Sequence, residues 1–543
     1  MNRRLLLVGA LALTAILGTV PAATTAVGSD STALRNAVTV SGIMAHETAL
    51  QAIATANPVG GVPTRAAGTP GYEASVDYVV DQLDAAGYDV TVQDFTYAQW
   101  RELSPSVFER ISPEPRTYVS GFEDDYLTMQ YSGSGDVTAP LVPTNDILPR
   151  PAGSEFTPGG STSGCEAGDY PASVAGNIAL VQRGTCPFRQ KADLAQAAGA
   201  LAVVIYNEGN DDPNDDRFGV VNGTLDPPLD EIPVIGTSFA VGEELFNQTQ
   251  AGTVTVRVKT DTTVVTTATS NVLADTPGGR SDRVVVVGGH LDSVAEGPGI
   301  NDNGSGISAT LETALQMAEL GIAPVNKLRF AFWGGEEDGL IGSQHYVDTL
   351  PKKDLKSIML NLNFDMVGSP NFVRFVYDGD GSAFGVSGPS GSGRIESVFT
   401  DYFASQNLAT EPTEFDGRSD YDAFINAGVP AGGLFTGAEG VKTEDQAALY
   451  GGVAGAAFDP CYHSFCDNLR GDGQDEDLYD QLREDYLLVG NVNVRALDQN
   501  SDALANTVVR FAFDTSTVED AQAATPAPGA RVGANAIKNR YAR

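Results

Sequence analysis

The sequence predicts an α/β fold: a mostly parallel central sheet flanked by helices, with a small mixed α/β domain inserted into it. Three observations lead there. Residues 284–288, 328–333 and 358–364 are apolar runs of the kind found in strands buried on both faces. Helical patterns at 308–320 and near 340–347 separate them, and such alternation calls for parallel pairing. Around residues 130–260 glycine and proline become frequent and the strands shorten, which marks a separate unit. A chain of 543 residues exceeds one ordinary domain, and 42% hydrophobic residues are enough for normal cores.

Taken in order, residues 1–26 read as an export signal. Arg3 and Arg4 lead an apolar stretch over 5–20, and Ala22, Ala23 and Ala26 offer small residues for cleavage. The expected product is secreted and extracellular, without a membrane anchor, since no later stretch is apolar enough to span a bilayer. Residues 27–45, rich in Ala, Thr and Ser, are expected to be poorly ordered. The main domain then begins with residues 46–129. A helix fits 47–57, Thr69 caps a second helix over 72–87, and 88–95 alternates like a strand.

The insert, residues 130–260, carries strands at 178–182, 202–206 and 254–258 and a helix at 191–198. It contains no histidine. Residues 261–515 complete the main domain. Residues 516–543, rich in Ala, Pro, Thr and Gly, are expected to be disordered.

The net charge is −37, from 70 acidic against 33 basic residues, so phosphate backbones are repelled and nucleic-acid binding is excluded. The four cysteines form two local pairs, Cys165 with Cys186 and Cys461 with Cys466. In an exported chain an even count reads as disulfides, and neither pair has the C-x-x-C spacing of a zinc–cysteine site.

Polar residues cluster just beyond the predicted strands. His290 and Asp292 follow the first, Glu336 and Glu337 the second, and Asp365 the third. Ligands bind at the carboxyl ends of strands in such sheets, so these loops converge. Asp302, in a glycine-rich approach to the next helix, faces the same place. Taken alone, an Asp after a strand is a turn residue, paired glutamates are a solvated face, and His-x-Asp is common. Their shared location is what the bland reading leaves unexplained.

Imidazole with several carboxylates suits a hydrolytic zinc centre, and one carboxylate can bridge two metals. A second metal needs a second histidine. Of the four in the chain, His46, His345 and His463 remain. His463 is favoured, because a Cys461–Cys466 bridge would close a rigid loop around it. His345, on a helix, and His46, near the N-terminus, read as structural.

Gly289-His290-Leu291-Asp292-Ser293, Asn301-Asp302-Asn303-Gly304-Ser305-Gly306, Gly334-Gly335-Glu336-Glu337, Asn363-Phe364-Asp365-Met366 and Cys461-Tyr462-His463 resemble the secreted bacterial di-zinc aminopeptidases and vacuolar aminopeptidase Y. The resemblance covers most of residues 45–510. Residues 176–188 look like part of the protease-associated domain that some members carry.

The resemblance implies a zinc exopeptidase fold and two zinc ions, acting on peptides or proteins with a free N-terminus. His290 and Asp365 would hold one ion, Glu337 and His463 the other, and Asp302 would bridge. Glu336 would be the general base and Tyr462 would hydrogen-bond the developing oxyanion. Asp292 would orient His290. Arg418 matches a position whose backbone carbonyl helps hold the substrate's amine, for which Glu336 and Asp365 would supply negative charge. The acidic run 472–480 offers a calcium site of the kind seen in some relatives.

Two rivals stand beside this reading. A non-catalytic receptor on a degenerate peptidase fold is expected to lose ligands or the base, and none is missing here. A zinc carboxypeptidase or glutaminyl cyclase of the same fold keeps the ligands, and the carboxypeptidase needs a cationic pocket.

Overall fold

The valine run of residues 284–287 lies at the centre of the structure, a computed structural model that describes residues 30–121, 124–210 and 217–524. Expectations for residues 1–29 and 525–543, the export signal and the end of the tail among them, lie outside the described residues. Val285 and Val287 pack with Leu311, Leu328 and Phe330 on one face. Val284 and Val286 pack with Trp333, Tyr346 and Phe424 on the other. The two-residue period of a strand thus feeds two cores, which is why the run is apolar throughout. Each buried valine contributes about 1.5–3 kcal/mol.

We number the strands of this eight-stranded sheet in chain order: β1 Asp89–Glu102, β2 Thr262–Asp275, β3 Arg280–His290, β4 Asn326–Trp333, β5 Ile358–Phe364, β6 Phe375–Tyr377, β7 Glu411–Thr413 and β8 Ala431–Phe435. Their spatial order is β7-β6-β8-β5-β3-β4-β2-β1. The central four, β8-β5-β3-β4, are parallel. Helices Gly306–Glu319 and Ile341–Thr349 connect them. Antiparallel pairing appears toward the flanks, where β2 joins β4, β1 joins β2, and β6 joins β8.

A second eight-stranded sheet forms the inserted unit, with its own apolar clusters on both faces. Its strands Ile178–Gln182 and Ala202–Tyr206 have the expected bounds. The unit starts earlier than residue 130, because Val107–Ser112 pairs with Thr255–Thr260 in this sheet. The chain enters and leaves the insert along the β1–β2 ribbon, whose 14-residue strands pair from Asp89↔Asp275 to Glu102↔Thr262.

Two expectations of disorder are corrected. Residues 32–45 are helical, in Thr32–Ala37 and Val40–Ala56, and Leu34 and Ile43 are fully buried in the main core. Their tertiary packing outweighs the loop-like composition that suggested disorder. Residues 516–524 form a helix, Ser516–Ala524, anchored by buried Val518. Among the described residues no helix is long and apolar enough to cross a membrane.

Candidate metal centre and active site

β3, β4 and β5 run parallel and end side by side, so the residues that follow them meet at one edge. His290 is the last residue of β3, Glu336 and Glu337 follow β4 after two glycines, and Asp365 follows β5 directly. Gly334 and Gly289 are needed for close approach. At Gly334 a Cβ would overlap the Tyr72 hydroxyl and the Ser270 carbonyl, and at Gly289 it would overlap the Phe364 carbonyl.

Asp302 lies in the irregular turn Ile300–Ser305 and faces two histidines. Its Oδ1 is 3.3 Å from His290 Nε2, and its Oδ2 is 3.4 Å from His463 Nε2. His290 Nε2 is also 3.2 Å from Asp365 Oδ1 and 3.9 Å from Glu336 Oε2. His463 Nε2 is 3.0 Å from Glu337 Oε2. The ligand atoms of His290, Asp302 and Glu337 lie within 4.8 Å of one another, as do those of His290, Glu336 and Asp365. His290, Asp302, Glu336, Glu337, Asp365 and His463 therefore meet as expected.

The cluster fits a pair of cations. Four carboxylates face two imidazoles in a buried pocket, and Glu337 Oε1 is a buried oxygen without a hydrogen-bond partner. Oxygen and imidazole donors in this mixture suit zinc. The electrostatics of the protein groups show the same demand for positive charge. Burial pushes Glu336 well above the usual carboxylate range, with Glu337, Asp365 and Asp420 adding to it and His290 opposing. Burial, opposed by His463, takes Glu337 up to about 7. Against its burial, the bonds from His290 and His463 hold Asp302 well below the ordinary value. Both histidines are raised well above theirs; their burial opposes this, and the facing carboxylates outweigh it.

His463 lies in the loop closed by the Cys461–Cys466 disulfide, and Cys165–Cys186 is bridged as well. The backbone of His463 is left-handed at φ 51°, and so is that of Met366, beside Asp365, at φ 49°. Side chains rarely adopt that conformation, and it concentrates at functional sites. Tyr462 stacks on His463 at 3.8 Å between ring centroids, and Arg418 donates to its hydroxyl at 3.2 Å. The Arg418 guanidinium is balanced by Glu439 at 2.7 Å.

Asp292 acts differently from the simple expectation. Its carboxylate is 3.8 Å from His290 Nδ1, which instead faces the Asp292 main-chain carbonyl at 3.1 Å. The carboxylate accepts the backbone N–H of Glu336 at 3.2 Å and of Glu337 at 3.4 Å. One residue thus orients the histidine and braces the glutamate turn.

Several contributors escaped sequence reasoning. Ser419 donates to Asp365 Oδ2 at 2.6 Å and accepts from Asn363 at 2.8 Å. Asp467 accepts the N–H groups of Asn301 and Asp302 at 2.8 and 3.0 Å, fixing the bridging turn. Arg65 is fully buried and donates to the carbonyls of Leu291, Pro298 and Gly299, tying the His290 loop to the Asp302 turn. Ser419 lies next to Arg418, which the sequence does single out. Arg65 is remote in sequence and carried no signal.

The two remaining histidines are structural. His46 lies between the Tyr78 hydroxyl, at 2.6 Å, and Glu312, at 3.2 Å. His345 stacks on Phe95. The run 472–480, named for calcium, is largely exposed, and no acidic triad among the described residues draws on it. A different triad, Asp378, Asp380 and Glu396, meets elsewhere, but its carboxylates accept backbone N–H groups of their own loop.

Comparison with known proteins agrees with this architecture. Residues 271–481 match the model of peptidase family M28, and residues 137–245 match the PA domain. An aminopeptidase of Pseudomonas aeruginosa is 47% identical over 461 residues, covering 85% of this chain and 79% of that protein. A probable leucine aminopeptidase 2 of Aspergillus fumigatus is 42% identical over 409 residues, 75% of this chain and 74% of that one. Among solved structures, an aminopeptidase from Aneurinibacillus shares the fold, with a TM-score of 0.62 at 24% identity over 89% of this chain and 96% of its own. A zinc aminopeptidase of Bacillus subtilis does so with a TM-score of 0.54 at 23% identity, over 87% and 94%. The chain belongs to peptidase family M28 and is an aminopeptidase, a hydrolase acting on peptide bonds, with a PA domain inserted in it.

Proposed function

We propose that this chain is a secreted aminopeptidase that works with two zinc ions and releases the first residue of peptides with a free N-terminus. The observation that carries the reading is Asp302, one oxygen directed to His290 and the other to His463, as a carboxylate shared by two metals requires. His290 and Asp365 would hold one zinc, Glu337 and His463 the other. When bound, such a pair polarises the scissile carbonyl and lowers the pKa of a water. The neighbour from Bacillus subtilis is itself named a zinc aminopeptidase.

The protein's own groups supply the rest. Glu336 faces the site without being needed to close either ligand set, so its carboxylate takes a proton from the attacking water and passes it to the departing amine. Tyr462, its oxygen already accepting from Arg418, directs its hydrogen to the carbonyl oxygen as negative charge develops there. Glu336 and Asp365 provide the anionic surface that a protonated α-amine seeks. The pairing of Arg418 with Glu439 leaves the nearby cation balanced, which suits an amine end better than a carboxylate end. Residues 1–26 supply the export signal, and two disulfides agree with an oxidising compartment.

The test pairs leucyl-para-nitroanilide with its N-acetylated form. Only the free-amine substrate should be cleaved; dialysis against a chelator should abolish the activity and zinc should restore it. Cleavage of the acetylated substrate, or full activity after metal removal, overturns the proposal.

A further inference from the structure

The turn that carries Glu336 and Glu337 is braced from two sides. On one side Asp292 accepts its backbone N–H groups. On the other, the next residue, Asp338, reaches β1, where its Oδ2 accepts from the Tyr97 hydroxyl and, at 2.8 Å, from Gln99 Nε2. Tyr97 and Gln99 are two apart and so share one face of the strand. The Gln99 amide is itself fixed. Its Oε1 accepts from Thr267 of β2 at 2.7 Å and from Arg101 at 2.6 and 2.9 Å, which leaves Nε2 directed at Asp338.

The position of these donors matters. The β1–β2 ribbon is the stalk through which the chain enters and leaves the PA domain. Its far end is packed into that domain: Trp100 and Val264 lie against an apolar cluster of the insert, and Tyr131 of the insert donates to the Ala98 carbonyl at 3.0 Å. A continuous set of contacts thus runs from the insert through Ala98–Trp100 to Asp338, and from there to the general base two residues earlier. The turn's internal hydrogen bonds, Gly339 and Leu340 to the Glu336 carbonyl, both at 2.8 Å, do not involve the Asp338 side chain. That side chain is therefore free to anchor rather than to shape the turn.

We propose that Asp338 is a positioning residue: clasped by Tyr97 and Gln99, it anchors the catalytic turn to the stalk of the PA domain and so sets where Glu336 stands. The proposal rests on Glu336 being the base. Displacement of a catalytic group by about 1 Å can cost up to 10²-fold in rate, so even partial release should be measurable.

The experiment compares Tyr97→Phe, Asp338→Ala, the double variant Tyr97→Phe/Gln99→Leu, and that double combined with Asp338→Ala, all in the full-length zinc-loaded protein. The readouts are kcat and KM on leucyl-para-nitroanilide, zinc per chain and Tm. The double variant and Asp338→Ala should each lower kcat about tenfold or more, with KM within about twofold and zinc content unchanged. The combined variant should be no worse than either, because all cut one connection. Tyr97→Phe removes only a hydroxyl and carries the test, with a smaller fall in kcat, if Asp338→Ala does not fold. Unchanged kcat, losses that multiply, or losses that follow zinc content overturn the proposal. Glu336→Gln in the same assay separates the two readings. If it stays active, the assignment of the base fails; if it is inactive while the stalk variants are unimpaired, only the anchoring role fails.

Discussion

Asp302 can serve two histidines because a carboxylate has two oxygens, and its neighbours divide the remaining tasks by geometry. Glu337 points at His463, while Glu336 approaches His290 only to 3.9 Å. Adjacent and alike, they should fail differently. Glu336→Gln should retain two zinc ions and the fold yet lose roughly 10²–10⁴-fold in kcat, the scale of general acid–base catalysis. Glu337→Gln should lose zinc first, and added zinc should restore part of its activity; metal analysis beside kinetics distinguishes them. Arg65 gives a stability prediction. Arg65→Met takes a donor from each of the Leu291, Pro298 and Gly299 carbonyls and removes the charge facing buried Glu47, so it should destabilise the zinc-free protein by about 3–5 kcal/mol in denaturant titrations. The set around Asp302 was legible because His290, Glu336, Glu337 and Asp365 come just after predicted strands, Asp302 just before a helix, and His463 between two paired cysteines. Arg65 and Asp467 were not, because their meaning lies in backbone groups that they reach across more than 150 residues.

Elements were legible where burial is uniform along them. The run 358–364 is legible to the residue, since a strand buried on both faces and apolar at five of its seven positions needs no partner to be recognised. The ribbon strand β1 was read only as far as residue 95 and continues to Glu102, because its polar, half-exposed residues are set by pairing with β2 and not by their own pattern. The 20-residue helix Val494–Phe513 gives no such signal, because polar Asn500 and Ser501 are among its buried residues. On the proposed mechanism, the disulfide loop carries two of the working side chains. Replacing Cys461 and Cys466 with serine should lower kcat on leucyl-para-nitroanilide, since Tyr462 and His463 lie between them. Replacing Cys165 and Cys186 should instead cost about 3 kcal/mol, the loop-closure scale for a loop of this length, with kcat unchanged. Thermal melts and kinetics on both pairs check the contrast; equal kinetic effects would remove the special role of the 461–466 loop.

At the scale of the molecule, a chain of net charge −37 buries part of its acidity in one place, and the proposed metals would offset the cost of that burial. In the metal-free state burial is the largest cause raising Asp292 and Asp459 to about 6, Glu337 and Asp420 to about 7, and Asp467 to about 8. Each of these groups binds its proton more tightly folded than unfolded, where carboxyl groups titrate near pH 4. Between about pH 4 and pH 8 the folded metal-free chain therefore holds more protons than the unfolded one, and its stability falls as pH rises through that window. Zinc binding runs the other way, because its ligands must be deprotonated, so the metal contributes more as pH rises. The difference in Tm between zinc-loaded and chelated protein should accordingly be wider at pH 8 than at pH 6. Melts of both forms at the two pH values measure it directly. A difference that stays constant or narrows as pH rises would mean that these carboxylates are not coupled to the metals, and that the acidic pocket is held together by something other than bound cations.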